Sequence, residues 1–393
     1  MNILILSDIE TAGEWLATQS MLSEIKKKSG CKFFLLAYGQ KTLHLHRNLF
    51  EESILIDHAP LAPPISYYRQ IILELKQGAT QLIRIGKTAG KFSAIITTSE
   101  YSLFLPTLIV FPFVKKIFYL HGLKHHFKID FNHFNLHLLL IKFLERLTWF
   151  LSDYIVVPSA FAKKVLKREL VLFYFLKKIY VIPNLVPDYF LKRLPRSNLM
   201  EFKKKLGLRS FTQLILYCGR IDKIKGIDNL IVAFSLLKKK LSDSALIISY
   251  TKLKQDKNLL NKLRNQVGNY QLKNSIFLIS DLPRTKLPFL YQLVDCAVFP
   301  SLFEMDSLAL KETLASGLPA FSTPVGNAPI LLGGIDKNLL LGDNSVGEIY
   351  RKLNAFFAKS TKERRILKEK VGKIFGDKFS AAESVNKFLK LLD

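Results

Sequence analysis

Residues 303–329 read FEMDSLALKETLASGLPAFSTPVGNAP. Ser307 or Asp306 can cap a helix running from there to Ser316, since either side chain can accept from a free N–H in the first turn. Gly317 then falls where helices commonly end in a left-handed residue. CAVFP, from Cys296, stands in front of the stretch, and PAFS, from Pro319, closes it. The reading is strand, turn, helix, turn, strand. Two carboxylates accompany it: Glu304 ahead of the helix and Glu312 about one and a half turns inside. Spacing alone allows a loop acid and a helix-surface acid. It equally allows two acceptors reaching different parts of one long ligand, whose phosphates face the N–H groups at the helix start.

Outward from this unit the same alternation recurs. NILIL (from Asn2), KFFLLAY (Lys32), SILI (Ser53), AIIT (Ala94), KIFYL (Lys116), YIVVP (Tyr154) and IYVI (Ile179) read as buried strands in the first half. QLILYC (Gln213), ALIISY (Ala245), SIFLI (Ser275), CAVFP and PAFS read so in the second. Helix-length amphipathic stretches such as Glu14 to Lys28 and Asn135 to Leu151 lie between several of them. Continuous apolar strands alternating with helices predict parallel sheets covered on both faces. The stretch from Pro187 reads as a linker feeding a short helix, and Ser380 to Leu392 as a terminal amphipathic helix. Two α/β halves are expected, with the cleft between them as the default ligand site.

A chain of 393 residues with 49% hydrophobic content has enough material for two cores. Cys31, Cys218 and Cys296 are scattered without a paired framework, which points to a reducing, intracellular setting. NILIL is too short and lacks a basic leader, so it reads as a first strand rather than a signal peptide. YSLFLPTLIVFPFV, from Tyr101, is interrupted by Pro106 and Pro112 and falls short of a membrane span. The net charge of +26 calls for anionic partners, whether phosphate, lipid headgroup or nucleic acid. Residues 115–178 hold 12 basic and 4 acidic side chains, nearly all the excess of the first half.

YCGRIDKIKGIDNL, from Tyr217, ends a strand at Cys218 and frees the backbone at Gly219. Arg220 and Lys225 follow, ahead of a helix near Asp228. Two cations at the carboxyl end of a parallel strand, beside a helix start, make a diphosphate clamp. The competing reading is a solvated basic loop.

Taken together these segments resemble the GT-B glycosyltransferases, and specifically glycosyltransferase family 4, which is retaining. Its E-x7-E motif is similar to EMDSLALKE, Glu304 to Glu312. Its A-x-x-x-G-x-P-V-x-x-T-x-x-G-G is similar to ASGLPAFSTPVGNAP, and its G-R-x-x-x-x-K-G to GRIDKIKG, Gly219 to Gly226. VIPNLVPDYF from Val181 and DYIVVPSAFAKKVL from Asp153 match two further motifs, in the same order, over residues 115–330. The resemblance implies two Rossmann-like doubly wound domains facing a central cleft. The first, residues 1–190, would bind the acceptor, and the second, residues 191–375, the nucleotide-sugar; a helix at 376–393 would end the chain, with the first domain as a docking place.

The implied activity is transfer of a sugar from a nucleotide-diphosphate sugar to a glycan or lipid-linked acceptor, with retention. Arg220 and Lys225 would bind the diphosphate and neutralise the leaving charge, so that no metal and no cofactor is needed. Gly219, Ser307 and Leu308 would complete the donor site, Glu304 would contact the sugar hydroxyls and Glu312 the ribose. His121, in YLHGLK, would stand near the reaction centre, and Gly13, in TAGEW, on the acceptor side. The implied place is the cytoplasm, extending to the inner face of an anionic membrane.

The chain departs from the family pattern at Met305 and Asp306, where glycine and an aromatic are usual. Asp306 beside a diphosphate costs binding unless it points away or meets a cation. The G-x-G loop is SYTKLK, from Ser249, without glycine, and Leu185 stands where glycine follows Asn184. These departures support a rival, a catalytically silent GT-B scaffold. An epimerase or phosphorylase fits the Arg220, Lys225, Glu304 and Glu312 set less well. Scattered charge without a binding motif argues against a nucleic-acid partner. HGLKHH, with His121, His125 and His126, lacks the acidic or cysteine ligands of a metal site. Phe127, Phe131, Phe134, Leu136, Leu138, Leu139, Phe143, Trp149 and Phe173 mix with the cations of residues 115–178. They suit either a membrane surface or the core faces of helices.

Overall fold

The computed structural model describes residues 1–9, 12–38, 47–56, 67–98, 101–121, 136–170, 178–252, 256–378 and 381–393. The chain divides into two compact units, Met1–Leu185 with Ala381–Asp393, and Val186–Ser380.

Among the described residues the N-terminal unit is built on seven strands: β1 (Asn2–Asp8), β2 (Lys32–Tyr38), β3 (Phe50–Ile56), β4 (Ala94–Thr97), β5 (Lys115–Tyr119), β6 (Tyr154–Val157) and β7 (Lys178–Val181). Their order is β3-β2-β1-β4-β5-β6-β7, and every neighbouring pair is parallel. The pleat sorts the side chains. Ile3, Ile5, Phe33 and Leu35 enter one core cluster, and Leu4, Leu6, Phe34 and Leu36 the other, on the opposite face. Burial on both faces is why β1 and β2 read as unbroken apolar runs.

The last helix, Ala381–Leu392, belongs to this unit. Val385, Phe388, Leu391 and Leu392 enter the core cluster of Ile3 and Ile5, and the Phe388 ring lies 5.4 Å from that of Tyr119. Lys115 Nζ donates to the Leu391 and Leu392 carbonyls at 3.2 and 3.3 Å, placing a cation on carbonyls the helix end leaves unpaired.

The C-terminal unit has five strands: β8 (Gln213–Cys218), β9 (Ser244–Tyr250), β10 (Ile276–Ser280), β11 (Cys296–Phe299) and β12 (Ala320–Ser322), in the parallel order β10-β9-β8-β11-β12. The strand order reverses between β8 and β11, so the loops leaving their carboxyl ends border the crevice where doubly wound sheets bind ligands. The segment after Pro187 is more than a linker, because Phe190 is fully buried in this unit's core.

Trp149 is a core residue rather than a membrane-facing one: it is 5% exposed and meets Phe118 edge-on at 6.2 Å. Phe143 is exposed. Phe127, Phe131, Phe134 and Phe173, and also His125 and His126, lie outside the described residues, as do the side chains of Leu136, Leu138 and Leu139. Pro106 separates two short helices, Tyr101–Phe104 and Thr107–Val110, and no described helix is long and apolar enough to cross a membrane.

Candidate functional site

The loop leaving β8 is held rigid by its own side chains. Tyr217 Oη donates to the Arg220 carbonyl at 2.8 Å, and Asp222 caps the short turn Lys223–Lys225 by accepting from Ile224 N–H at 3.2 Å. Gly226 then takes a left-handed φ of +63° and opens the helix Ile227–Lys238. A Cβ there would stand 2.3 Å from the Pro300 carbonyl oxygen, so only glycine lets this loop touch the one leaving β11. Leu302 N–H adds a hydrogen bond to the Ile224 carbonyl at 2.7 Å. Across this seam Lys225 Nζ pairs with Glu304 Oε1, which also accepts from Ser301 Oγ at 3.3 Å. Two segments 79 residues apart in sequence are thereby joined. Arg220 stays exposed at the turn, and Gly219 continues the β8 ladder through its N–H to the Ser249 carbonyl at 3.0 Å.

The helix Leu308–Ala315 starts where the sequence places it. Ser307 is the N-cap, its hydroxyl accepting from Leu310 N–H at 3.3 Å, and Leu308 is the first helical residue. Glu312 is 5% exposed, so it is not a helix-surface acid. Arg284, from the loop after β10, donates to its Oε1 through Nε at 3.0 Å and through a second guanidinium N–H, while Tyr291 Oη donates to Oε2 at 3.4 Å. Burial alone would lower the Arg284 guanidinium, but the Glu312 carboxylate and neighbouring tyrosines outweigh it, and the net shift is upward. Sequence reasoning missed Arg284. Its one signal was position, since it follows Pro283 just past the carboxyl end of a parallel strand.

The two departures from the family pattern turn inward. Met305 is buried. The Asp306 carboxylate is fully covered, pairs with Lys311 Nζ at 2.6 Å and accepts from Asn327 Nδ2. The acid thus meets a cation and an amide inside the protein. Gly326, next to Asn327, has φ +60°, and a Cβ on it would stand 2.8 Å from the Glu304 carbonyl oxygen. The loops after β11 and β12 are clamped together behind Glu304.

His121 and Gly13 belong to the N-terminal unit. Gly13 lies in the first turn of the helix Ala12–Ser29. His121 follows β5 and is 8% exposed, with Nε2 at 2.9 Å from Thr18 Oγ1. The Tyr119 ring lies 4.0 Å away, and Tyr119 Oη donates to Asn184 Oδ1 at 3.0 Å. Burial drives the imidazole down to about 3, with the Asn184 side chain pulling the other way, so the ring is neutral at ordinary pH. The unfolded chain protonates this group near 6.5. Its contribution to stability is therefore complete above that pH and is lost as pH falls toward 3, by about 1.4 kcal/mol per unit. His121→Gln is expected to remove that slope in a pH series of urea unfolding. An unchanged slope contradicts it. Among the described residues no three histidine, cysteine, aspartate or glutamate side chains group as a metal site.

Two doubly wound parallel units, with a basic loop and an acid-bearing helix start at the strand ends of the second, make up a GT-B fold. Residues 200–373, all within the C-terminal unit, match the family described as glycosyl transferases group 1. Over 192 residues the chain is 27% identical to the alpha-monoglucosyldiacylglycerol synthase of Streptococcus pneumoniae, covering 47% of this chain and 40% of that one. The match thus spans less than half of that relative's length. The sucrose-phosphate synthase of Thermosynechococcus elongatus superposes with a TM-score of 0.80 at 16% identity, covering 100% of this chain and 98% of the other. HepE of Anabaena, in complex with UDP, superposes with a TM-score of 0.74 at 16% identity, covering 100% and 99%.

Proposed function

We propose that the protein is a retaining glycosyltransferase of the family 4 type, moving a sugar from a nucleotide-diphosphate sugar to a glycan or lipid-linked acceptor. The observation that carries this reading is the contact of Lys225 with Glu304, which unites the G-R-x-x-x-x-K-G and E-x7-E segments at the carboxyl ends of β8 and β11. Arg220 and Lys225 supply positive charge where a departing diphosphate would need it, and the N–H groups of Ser307 and Leu308 at the helix start suit its oxygens. Glu304 accepts from sugar hydroxyls. Glu312, fixed by Arg284, accepts from the ribose. The neutral imidazole of His121 can exchange a hydrogen bond with the reacting sugar without adding a charge, and Gly13 stands on the acceptor side. The UDP complex of HepE supports a uridine donor, and the name of the streptococcal relative supports a lipid-linked acceptor.

Pairing of Asp306 with Lys311 removes one of the arguments for a silent scaffold, since the acid no longer opposes a bound diphosphate. Incubation with UDP-, GDP- and ADP-sugars, read by nucleoside diphosphate release and by the anomeric signal of the product, tests the reading. Release from one donor with the anomer retained, unchanged by a chelator, is expected. An inverted anomer contradicts the mechanism, and no release with any donor contradicts the activity.

Arg284→Met leaves Glu312 buried without its cation. Losing hydrogen bonds to a charged group, about 1.5–3 kcal/mol, corresponds to about 10–100-fold weaker nucleoside diphosphate binding. Unchanged affinity would show that Glu312 has no part in holding the nucleoside.

A further inference from the structure

The helix Tyr67–Ala89 covers one face of the N-terminal sheet, and its two sides differ sharply. Ile71, Leu82, Ile85 and Ala89 are buried beneath it. Gly78 and Gly86 let its neighbours approach, since a Cβ would stand 2.6 Å from the Ser102 carbonyl oxygen and 3.0 Å from the Phe111 ring. On the outer side Ile72, Leu73 and Ile83 are 57%, 52% and 50% exposed. Positions 69, 72, 73, 76, 80, 83, 84 and 87 share this face by helical spacing. Its exposed charges are Arg69, Lys76, Arg84 and Lys87, all cations, while Glu74, the helix's only acid, is half-buried. The segment packed beside its C-terminal half carries Ile109 and Phe113, 85% and 99% exposed. Residues 101–114 contain no charged residue.

Branched apolar side chains and an aromatic alternating with cations suit a surface that is apolar beneath and anionic at its edge. A second copy of this chain is a poor occupant. A two-fold interface would set the same cations against each other with no exposed acid on the helix to meet them.

We propose that this face of the N-terminal unit docks onto an anionic lipid bilayer, with Ile109 and Phe113 entering the acyl boundary and the cations of Tyr67–Ala89 lying against the headgroups. The surface lies on different elements from the basic, aromatic run of residues 115–178. It stands whether or not the sugar-transfer reading holds.

The test is flotation of the full chain with vesicles of phosphatidylcholine, and with vesicles of equal parts phosphatidylcholine and phosphatidylglycerol. Flotation with the anionic vesicles alone, reversed by salt, is expected. Joint replacement of Ile109→Ser and Phe113→Ser should lower the partition coefficient by about tenfold or more. Arg84→Glu with Lys87→Glu should lower it by about thirtyfold or more, at about fivefold for each cation. Ile330→Ser, an exposed isoleucine of the C-terminal unit, should leave it unchanged. Nucleoside diphosphate titration of each variant, expected unchanged, confirms folding and separates failure here from failure of the transfer reading. Equal flotation with neutral vesicles, surface variants that float like the parent, or a dimer abolished by Phe113→Ser without any flotation would each overturn the proposal.

Discussion

Lys225→Ala lowers turnover of the donor by about 10²–10³-fold, the loss typical of removing one preorganised group from a developing charge. Lys225 is 12% exposed and held against Glu304 by the seam between Gly226 and Pro300, so its position is set before any ligand arrives. In the proposed reaction that preorganisation would give the ammonium its value in the transition state, when a departing diphosphate takes on negative charge, rather than in the ground state. The fall should therefore appear mainly in kcat. Arg220→Ala is the companion variant: its side chain is exposed and its carbonyl, not its guanidinium, anchors Tyr217, so truncation leaves the loop intact. Normal turnover by both variants, with circular dichroism like the parent's, refutes the clamp.

Lys311→Met destabilises the C-terminal unit by about 3–5 kcal/mol, because the Asp306 carboxylate is left buried without its cation. The Lys311 and Asp306 side chains are 3% and 0% exposed, and the neutral Asn327 amide does not replace the ammonium's charge. The joint change Asp306→Leu with Lys311→Met should recover most of that loss, since a buried ion pair is rarely more stable than apolar groups of similar volume. Urea unfolding of the three proteins, followed through the C-terminal unit's own transition, measures both effects. A single variant as stable as the parent would show that water reaches Asp306. A double variant as weak as the single would show that the pair stabilises by more than mutual neutralisation.

Sequence patterning located the twelve strands of the described residues most plainly where a strand such as β1, β2 or β9 is buried on both faces and leaves a continuous apolar run, while the sheet-edge strands β3 and β7 carry exposed charges and show through shorter apolar runs. A cap at Asp306 or Ser307 and the helix up to Ser316 were legible for a local reason: capping is settled within three residues of chain, and the structure selects Ser307. The inward turn of Asp306 was not legible, because its partners Lys311 and Asn327 come from a helix face and from the loop after β12. Arg284 was hidden for the same reason, lying 28 residues from Glu312. Trp149 shows the converse limit, since an aromatic among cations reads alike whether it faces lipid or Phe118. The terminal amphipathic helix announced itself, but that Phe388 packs against Tyr119 of β5 depends on a surface more than 260 residues earlier in the chain.

The central claim is a working nucleotide-sugar donor site in the C-terminal unit. Calorimetric titration of the protein with UDP, GDP and ADP, without added metal, tests it most directly. Saturable binding of one of the three, abolished in Arg220→Ala, is the expected result. Binding of none, or equal binding by Arg220→Ala, would contradict it.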